Sequence, residues 1–255
     1  MERRRLKPVR LFSSDLDGTL AGDRDASRRF AGFWQALDPS ARPLLVYNSG
    51  RLVDDILAFT AEEGLPPADF VIGGVGTMMA GHALAGVETD YADFIADGYD
   101  AAEIAALVRD FPGLERQPER YQHHRKSSWY LHDASRERLS ELDRRLGGNG
   151  LKVKIVYSSR RDLDILPANA DKGNALVWLC RRLGIGLEEV VVAGDTGNDA
   201  DMFALQGVRG IIPANGFDEL RRRIAADNLV YQASLREADG VVEGLRHWLA
   251  NGSVD

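Results

Sequence analysis

The chain has 255 residues, a formal net charge of −7 and 44% hydrophobic residues, so it can form one large or two ordinary domains around a sizeable core. The acidic balance argues against a nucleic-acid surface but leaves room for a local basic pocket that binds a small anion. One cysteine, Cys180, excludes a disulfide framework within the chain. No signal-peptide or membrane-spanning run follows Arg3-Arg4-Arg5, so we expect a cytoplasmic protein without membrane contact.

The first strong pattern is an apolar strand at residues 9–12 that ends in Asp15-Leu16-Asp17-Gly18-Thr19. Two carboxylates two positions apart can converge on a hard cation such as Mg²⁺. The same residues would also suit an ordinary polar turn, and Asp-x-Asp-Gly is half of a calcium loop. The twelfth position of such a loop is Ala26 rather than a bidentate Glu, which argues against calcium.

A predicted helix (residues 26–37) and a buried strand (43–47) follow, and the strand ends in Asn48-Ser49-Gly50-Arg51 before a helix at 52–63. The Ser49 hydroxyl and the backbone N–H groups at this helix start suit a phosphate, with Gly50 and Arg51 as further contacts. A serine that only caps the helix is the alternative.

A third strand at residues 70–72 leads into a glycine-rich turn, Gly73-Gly74-Val75-Gly76-Thr77. Three glycines indicate tight turns or a close approach of the backbone to something bound. We therefore include Gly76 and Thr77 among the candidate substrate contacts, although glycine richness alone is a weak signal.

The βα alternation then stops, and residues 82–166 contain predicted helices at 100–110 and 135–146 with strands at 127–131, 152–157 and 162–166. This order predicts an α+β insert with its own sheet, joined near Gly81 and Pro167 to a core domain of residues 1–81 and 167–255. Residues 117–130 mix aromatic and basic side chains, which suits either a sugar-phosphate pocket or a solvated hairpin.

The alternation returns with Asp171-Lys172-Gly173-Asn174, which opens a helix at residues 175–183. A strand at 189–193 ends in Gly194-Asp195-Thr196-Gly197-Asn198-Asp199, a second group of carboxylates at a strand end. Strands at 210–212 and 229–231 and a helix at 238–249 complete the chain. The fold class we predict is α/β, a doubly wound and mostly parallel sheet.

Four segments together resemble the signatures of the haloacid dehalogenase-like (HAD) phosphatases: D-x-D-G-T at Asp15, the strand-end Ser49, the helix-start Lys172, and G-D-x-G-N-D at Asp195. The resemblance implies that Asp15 attacks phosphorus, that Asp17 is the general acid/base, and that Ser49 and Lys172 bind phosphoryl oxygens. It also implies a Mg²⁺ cofactor. The implied magnesium site consists of Asp15, Asp17, Asp195, Asn198 and Asp199.

Within that superfamily, Asp162-Leu163-Asp164-Ile165-Leu166-Pro167 and Asp171-Lys172-Gly173-Asn174-Ala175 resemble the bacterial and plant sucrose-6-phosphate phosphatases. Ser158-Ser159 and Tyr91-Ala92-Asp93 fit the same pattern, and the insert resembles a C2-type cap. Asn48-Ser49 stands where that family usually has Ala-Thr. The related mannosylfructose-phosphate phosphatases share the overall pattern, so the two substrates remain alternatives.

The sequence thus predicts Mg²⁺-dependent hydrolysis of a phosphorylated disaccharide through an aspartyl-phosphate, with Lys126, Asp164 and Asn169 as contacts to the sugar. The small-molecule sugar phosphate is the expected partner, the synthase that makes it is a candidate protein partner, and we expect a monomer. A phosphate-binding regulatory protein without turnover is the alternative from another class. A phosphomutase and a haloacid dehalogenase are lesser alternatives among enzymes.

Overall fold

A computed structural model describes residues 6–95, 98–224 and 229–251. Two sheets and nine helices are found in these ranges. In chain order, they are β1 (Leu11–Ser14), α1 (Arg24–Ala36), β2 (Leu44–Asn48), α2 (Val53–Glu62), β3 (Phe70–Gly73), β4 (Met78–Gly81), α3 (Val87–Phe94), α4 (Ala101–Val108), β5 (Glu115–Arg116), β6 (Ser127–Tyr130), α5 (Arg136–Gly147), β7 (Val153–Ser158), β8 (Asp162–Pro167), α6 (Lys172–Leu183), β9 (Val190–Ala193), α7 (Ala200–Phe203), β10 (Arg209–Ile212), α8 (Asp218–Arg223), β11 (Leu229–Gln232) and α9 (Glu237–Asn251).

The larger sheet has seven strands in the order β11-β10-β9-β1-β2-β3-β4. All neighbours pair in parallel except β3 and β4. Chain order reverses beside β1, since β2 and β3 follow on one side while β9, β10 and β11 follow on the other. Such a reversal opens a crevice at the carboxyl ends of the strands, and the predicted α/β class is confirmed.

Apolar side chains cover both faces of this sheet because successive residues of a strand point in opposite directions. On β9, Val190 and Val192 belong to one core cluster, and Val191 and Ala193 belong to the other. Helices α3, α6 and α7 contribute to the first cluster, and α1, α2 and α9 contribute to the second. Near-continuous apolar strands are what a sheet covered on both faces requires.

The smaller sheet is antiparallel, with strand order β5-β6-β8-β7. Helices α4 and α5 pack on it around a separate core that includes Ile104, Trp129, Leu142 and Leu163. We refer to residues 98–166 as the small-sheet unit and to the remaining described residues as the large-sheet unit.

Two elements near the predicted boundary at Gly81 were not foreseen. β4 extends the larger sheet although its sequence, Met-Met-Ala-Gly, has no β-branched residue. Helix α3 places Val87 and Tyr91 in a core cluster of the larger sheet, and Tyr91 contacts Trp178 of α6 edge to face. By packing, residues up to Ile95 therefore associate with the large-sheet unit rather than with the insert.

In the part of the chain that the structure describes, no helix combines the length and the apolar character needed to cross a membrane.

Candidate active site

Three neighbouring strands deliver polar residues to one edge of the larger sheet. Ser14 of β1 pairs with Tyr47 of β2 and with Ala193 of β9, and the Asp15 N–H donates to the Ala193 carbonyl at 3.0 Å. Because these strands are parallel, Asp15, Ser49 and Asp195 all emerge at their carboxyl ends. The convergence of these residues follows directly from strand order.

Three carboxylates gather there around one ammonium group. Asp15, Asp195 and Asp199 each offer an oxygen within 4.8 Å of the others, and all three residues are buried. The Lys172 Nζ lies 2.6 Å from Asp15 Oδ1 and 2.6 Å from Asp199 Oδ1, and Lys172 is fully buried. One lysine thus faces three carboxylates, which leaves an excess of negative charge in a site of low dielectric constant.

The pKa values of the cluster reflect this crowding. Burial, together with the carboxylates of Asp15 and Asp199, raises the pKa of Asp195 to about 9. Burial also raises the pKa of Asp15 to about 7, although the nearby Lys172 opposes the change. Burial disfavours the charged form of Lys172, but Asp15 and Asp199 outweigh it and raise the lysine pKa. Among the described residues of the cluster, the single positive charge of Lys172 is therefore too small to balance three ionised carboxylates.

The donor set fits a hard divalent cation, because carboxylate oxygens in negative excess are the ligands that Mg²⁺ prefers. Asp199 is an internal support: its Oδ1 binds Lys172 and its Oδ2 accepts the N–H groups of Asp195 and Thr196 at 2.9 and 3.0 Å. Asp15 and Asp195 are consequently better placed to hold a metal than Asp199. Asn198 lines the adjacent cavity, and its Oδ1 accepts from the Thr196 hydroxyl at 3.0 Å.

Asp17 does not join the acidic cluster. Its carboxylate is 56% exposed and makes a two-point ion pair with Arg51, with Nε–Oδ2 and Nη2–Oδ1 distances of 2.8 Å each. Arg51 also binds Asp55 at 3.0 Å and lies over the ring of Phe59. Arg51 thus occupies both oxygens of the Asp17 side chain, and the place of Asp17 in the metal set stays a prediction.

A cavity of about 700 Å³ lies between the two units, with the strand ends at its base. Asp15, Asp17, Ser49, Arg51 and Asn198 line it from the large-sheet unit. The opposite wall comes from the small-sheet unit. The residues there are Gln117, Arg120, Tyr121, Lys126, Tyr130, Ser158, Ser159, Arg161, Asp162 and Asp164.

Comparison with known proteins identifies the family. The family model of the sucrose-6F-phosphate phosphohydrolases matches residues 8–249. The chain belongs to this family. It is therefore a HAD-superfamily phosphatase, a phosphoric monoester hydrolase, as the four signatures predicted.

Individual relatives agree with that assignment. The chain is 52% identical over 246 residues to the mannosylfructose-phosphate phosphatase of Agrobacterium fabrum, covering 96% of this chain and 99% of the relative. It is 32% identical to sucrose-phosphatase 1 of Nicotiana tabacum over 93% of this chain, but spans only 59% of that enzyme. A crystal structure of the sucrose-phosphatase from Synechocystis with sucrose and phosphate superposes with a TM-score of 0.86 at 27% identity, covering 95% of this chain and 98% of the other.

Lys126 and Asp164, two predicted sugar contacts of this phosphatase, both line the cavity. Lys126 is buried, and its Nζ donates to the Tyr121 carbonyl at 3.1 Å and the Ser128 hydroxyl at 2.6 Å, with Asp164 Oδ1 at 3.0 Å. An ammonium group has three donors, so these partners use all of them. Lys126 therefore holds Asp164 in place, and its own contact with a sugar stays a prediction.

Three other predicted contacts do not line the cavity. The Asn169 side chain donates to the Phe94 carbonyl at 2.9 Å, and the buried Thr77 hydroxyl donates to the Gly74 carbonyl at 2.9 Å. Gly76 has φ +87°, and a Cβ there would overlap the backbone of Asp171. The close approach at Gly76 is thus to another part of the chain, and none of these three predicted substrate contacts lies in the cavity wall.

The phosphate loop also differs in detail from the prediction. Ser49 is buried at the cavity edge with its Oγ 3.3 Å from the Arg51 N–H, but its own N–H donates to the Ile72 carbonyl at 2.9 Å and so belongs to the sheet. Gly50 lines the cavity beside it. Asn48, noted only as a departure from the family pattern, donates through Nδ2 to the Lys172 carbonyl at 3.0 Å.

Several cavity residues were missed because they are scattered along the small-sheet unit. Arg161 lies over the ring of Tyr130 with its Cζ 5.1 Å from the ring centroid, so a turn between β7 and β8 meets β6. Gln117, Tyr121 and Tyr130 fall in the aromatic and basic stretch that the sequence indicated. Arg161 and Asp162 lie beside these residues because β8 pairs with β6, and the sequence alone does not show that pairing.

Proposed function

We propose that this phosphatase hydrolyses a phosphorylated disaccharide, with mannosylfructose phosphate as its preferred substrate and sucrose 6-phosphate as the second choice. The observation that carries the proposal is the cavity itself, which joins the acidic strand ends to a polar wall from the small-sheet unit. A volume of about 700 Å³ suits a ligand larger than a monosaccharide phosphate. The preference for mannosylfructose phosphate rests on the 52% identity to the Agrobacterium enzyme.

In the proposed reaction, a carboxylate oxygen of Asp15 attacks phosphorus, and the bond from phosphorus to the sugar oxygen breaks. Asp17 supplies the proton that the leaving sugar oxygen takes up. Asp17 then accepts a proton from the water that hydrolyses the aspartyl-phosphate, which returns Asp15 and releases inorganic phosphate. Ser49 would bind a phosphoryl oxygen, and Lys172 would hold Asp15 in place through the 2.6 Å contact.

Magnesium is the proposed cofactor, held by Asp15 and Asp195 with Asn198 beside them. When bound, it would neutralise charge on the phosphoryl oxygens and let a carboxylate approach a phosphate. The excess of buried carboxylates over cations supports this assignment.

We further propose that the small-sheet unit is the cap that reads the sugar. Asp164 is the best candidate for this role. It lines the cavity, and Lys126 and Ser128 fix its Oδ1 at 3.0 and 2.6 Å. The packing of α3 favours a cap of residues 98–166, somewhat shorter than the predicted insert of 82–166. A monomeric state, a cytoplasmic location and contact with a synthase stay predictions.

A release assay for inorganic phosphate tests the proposed function. The panel contains mannosylfructose phosphate, sucrose 6-phosphate, trehalose 6-phosphate and glucose 6-phosphate, each with Mg²⁺ and with EDTA. We expect Mg²⁺-dependent release, with the highest kcat/KM for mannosylfructose phosphate. Asp15→Asn is the control for contaminating phosphatases.

Two results would contradict the proposal. Phosphate release from no sugar phosphate would favour a binding protein without turnover, and an isomerised sugar phosphate without free phosphate would favour a phosphomutase. A higher kcat/KM for sucrose 6-phosphate would reverse the order of the two disaccharides.

A further inference from the structure

Lys154 links the small-sheet unit to the large-sheet unit at a place outside the active-site cavity. It lies on β7, and its Nζ is 2.7 Å from Asp171 Oδ2 and 2.9 Å from Asp201 Oδ2. Both carboxylates belong to the large-sheet unit, whereas Lys154 belongs to the smaller sheet. The ammonium group therefore bridges the two units.

Its two partners are attached to the segments that build the acidic cluster. Asp171 caps α6, because its Oδ1 accepts the Asn174 N–H at 2.6 Å, and the next residue is Lys172. Asp201 lies in α7, directly after the 3₁₀ turn Gly197–Asp199. The two segments touch, since a Cβ on Gly173 would overlap the Asp201 carbonyl. Lys154 thus binds one carboxylate in each of the two segments that carry Lys172 and Asp199.

The backbone around Lys154 also contacts this region. A Cβ on Gly197 would lie 3.2 Å from the Tyr157 carbonyl of β7, so β7 rests on the 3₁₀ turn. A second cleft, of about 550 Å³, has Lys154, Asp201 and Gly197 in its wall. The next residue of that turn, Asn198, lines the active-site cavity. The turn therefore lies between Lys154 and the active-site cavity.

We infer that Lys154 is a positioning residue, which fixes the small-sheet unit over the active site by bridging Asp171 and Asp201. Its kinetic consequence rests on the proposed function, because it requires a substrate that the small-sheet unit reads. An isolated surface ion pair contributes little to stability, but removal of Lys154 would leave the 3%-exposed side chain of Asp171 without its cation. Loss of this bridge should therefore cost more than loss of an ordinary surface ion pair.

Lys154→Met tests this inference, because it keeps an unbranched stem of similar length and removes the charge. We expect kcat/KM for the disaccharide phosphate to fall about tenfold, mainly through KM, while p-nitrophenyl phosphate, which has no sugar, changes less than about twofold. Lys154→Arg should restore most of the loss, since arginine can reach both carboxylates. Asp201→Asn should give a smaller change in the same direction, and its effect should not add to that of Lys154→Met.

A distance measurement tests the same inference without any substrate. Spin labels at Ala61→Cys in α2 and Glu141→Cys in α5 report the separation of the units, and the buried Cys180 should not react. We expect Lys154→Met to broaden the distance distribution and Lys154→Arg to leave it narrow.

An unchanged distribution together with unchanged kcat/KM would overturn the inference. Equal losses with both substrates and an unchanged distribution would reduce Lys154 to a stabilising residue and would also overturn it. If the wild-type protein cleaved only p-nitrophenyl phosphate, the proposed substrate would be wrong, while the distance measurement would still decide the role of Lys154.

Discussion

Asp17 is the site residue whose structural state differs most from its proposed role. Arg51 binds both oxygens of its carboxylate, and Asp55 and Phe59 hold Arg51 in turn. A carboxylate in a two-point ion pair cannot transfer a proton to a leaving oxygen. We expect a substrate phosphate, which carries more negative charge than Asp17, to take Arg51 as its partner and so release Asp17. Proton transfer would then become available only when substrate is present.

Replacement of the two aspartates by asparagine should separate their roles. Asp15→Asn should abolish turnover, because an amide does not attack phosphorus. Asp17→Asn should lower kcat by roughly 10²- to 10⁴-fold, which is the usual contribution of general acid/base catalysis. Steady-state release of phosphate measures both effects, with circular dichroism as the check on folding. Wild-type activity in either variant would show that the assignment of that residue is wrong.

The proximity of Asp15, Lys172, Asp195 and Asp199 could be predicted from sequence because strand ends and a helix start carry them. The positions of Gly76, Thr77 and Asn169 could not. These residues contact other parts of the chain, as when the Asn169 side chain donates to the Phe94 carbonyl. Such contacts depend on tertiary packing, which the local sequence does not predict.

At the scale of elements, the turn after β1 is held closely against the turn after β9. Gly18 has φ +78°, and a Cβ there would overlap the Asp195 carboxylate. The Gly18 carbonyl accepts from Asn215 Nδ2 at 2.7 Å, and Asn215 Oδ1 accepts the Glu237 N–H at 2.7 Å, which ties the turn to the start of α9. The orientation of Asp195 therefore depends on the absence of a side chain at Gly18.

Gly18→Ala should impair both stability and activity. The left-handed backbone costs alanine about 1–2 kcal/mol, and displacement of Asp195 should lower kcat/KM by about 10²-fold. Gly64→Ala is the matched control for strain, because Gly64 has φ +71° with open space around it, and it should lose stability without losing activity. Gly32→Ala, in α1 with open space, should be neutral or stabilising by about 0.5–1 kcal/mol. Thermal unfolding and steady-state kinetics of all three variants test these predictions. Equal kcat/KM values for Gly18→Ala and Gly64→Ala would contradict the role of Gly18 in orienting Asp195.

Most strands of the larger sheet could be predicted because a buried parallel strand is a continuous apolar run, as in Val190–Ala193. β4 and α3 could not be predicted in this way. Met78–Gly81 has weak strand character, and Val87–Phe94 begins after a left-handed Gly86 without a side-chain cap. Tertiary contacts hold β4 and α3 in place. One of them is the hydrogen bond that the Tyr91 hydroxyl of α3 donates to the Gly76 carbonyl at 2.5 Å.

At the scale of the whole molecule, the acidic cluster should couple metal binding to folding stability. In the metal-free protein, the pKa of Asp195 is about 9 against an ordinary value of 3.8. Between these values the folded state binds more protons than the unfolded state, so the stability of the metal-free protein falls as pH rises. Magnesium binds the ionised carboxylates, so its stabilising effect should grow over the same pH range.

The prediction is that the difference in Tm between Mg²⁺ and EDTA increases from pH 5.5 to pH 8.5. Scanning calorimetry at each pH measures this difference in Tm. Carboxylates that do not bind the metal affect both Tm values alike, so their contribution cancels. Asp195→Asn should remove most of the increase. A difference that stays constant with pH, or that is largest at pH 5.5, would contradict the metal assignment.

The reversal of chain order beside β1 also has a consequence for the synthesis of the protein. The Thr19 hydroxyl donates a hydrogen bond to the Asp195 carboxylate, although the two residues are 176 positions apart in sequence. At the usual rate of about 5–20 residues per second, a ribosome takes roughly 10 to 35 s to make the chain between them. During that interval β1 has β2 as a neighbour but lacks β9, so a central apolar strand edge is uncovered. The nascent chain should therefore be most exposed to aggregation, and most accessible to chaperones, while the small-sheet unit is being made.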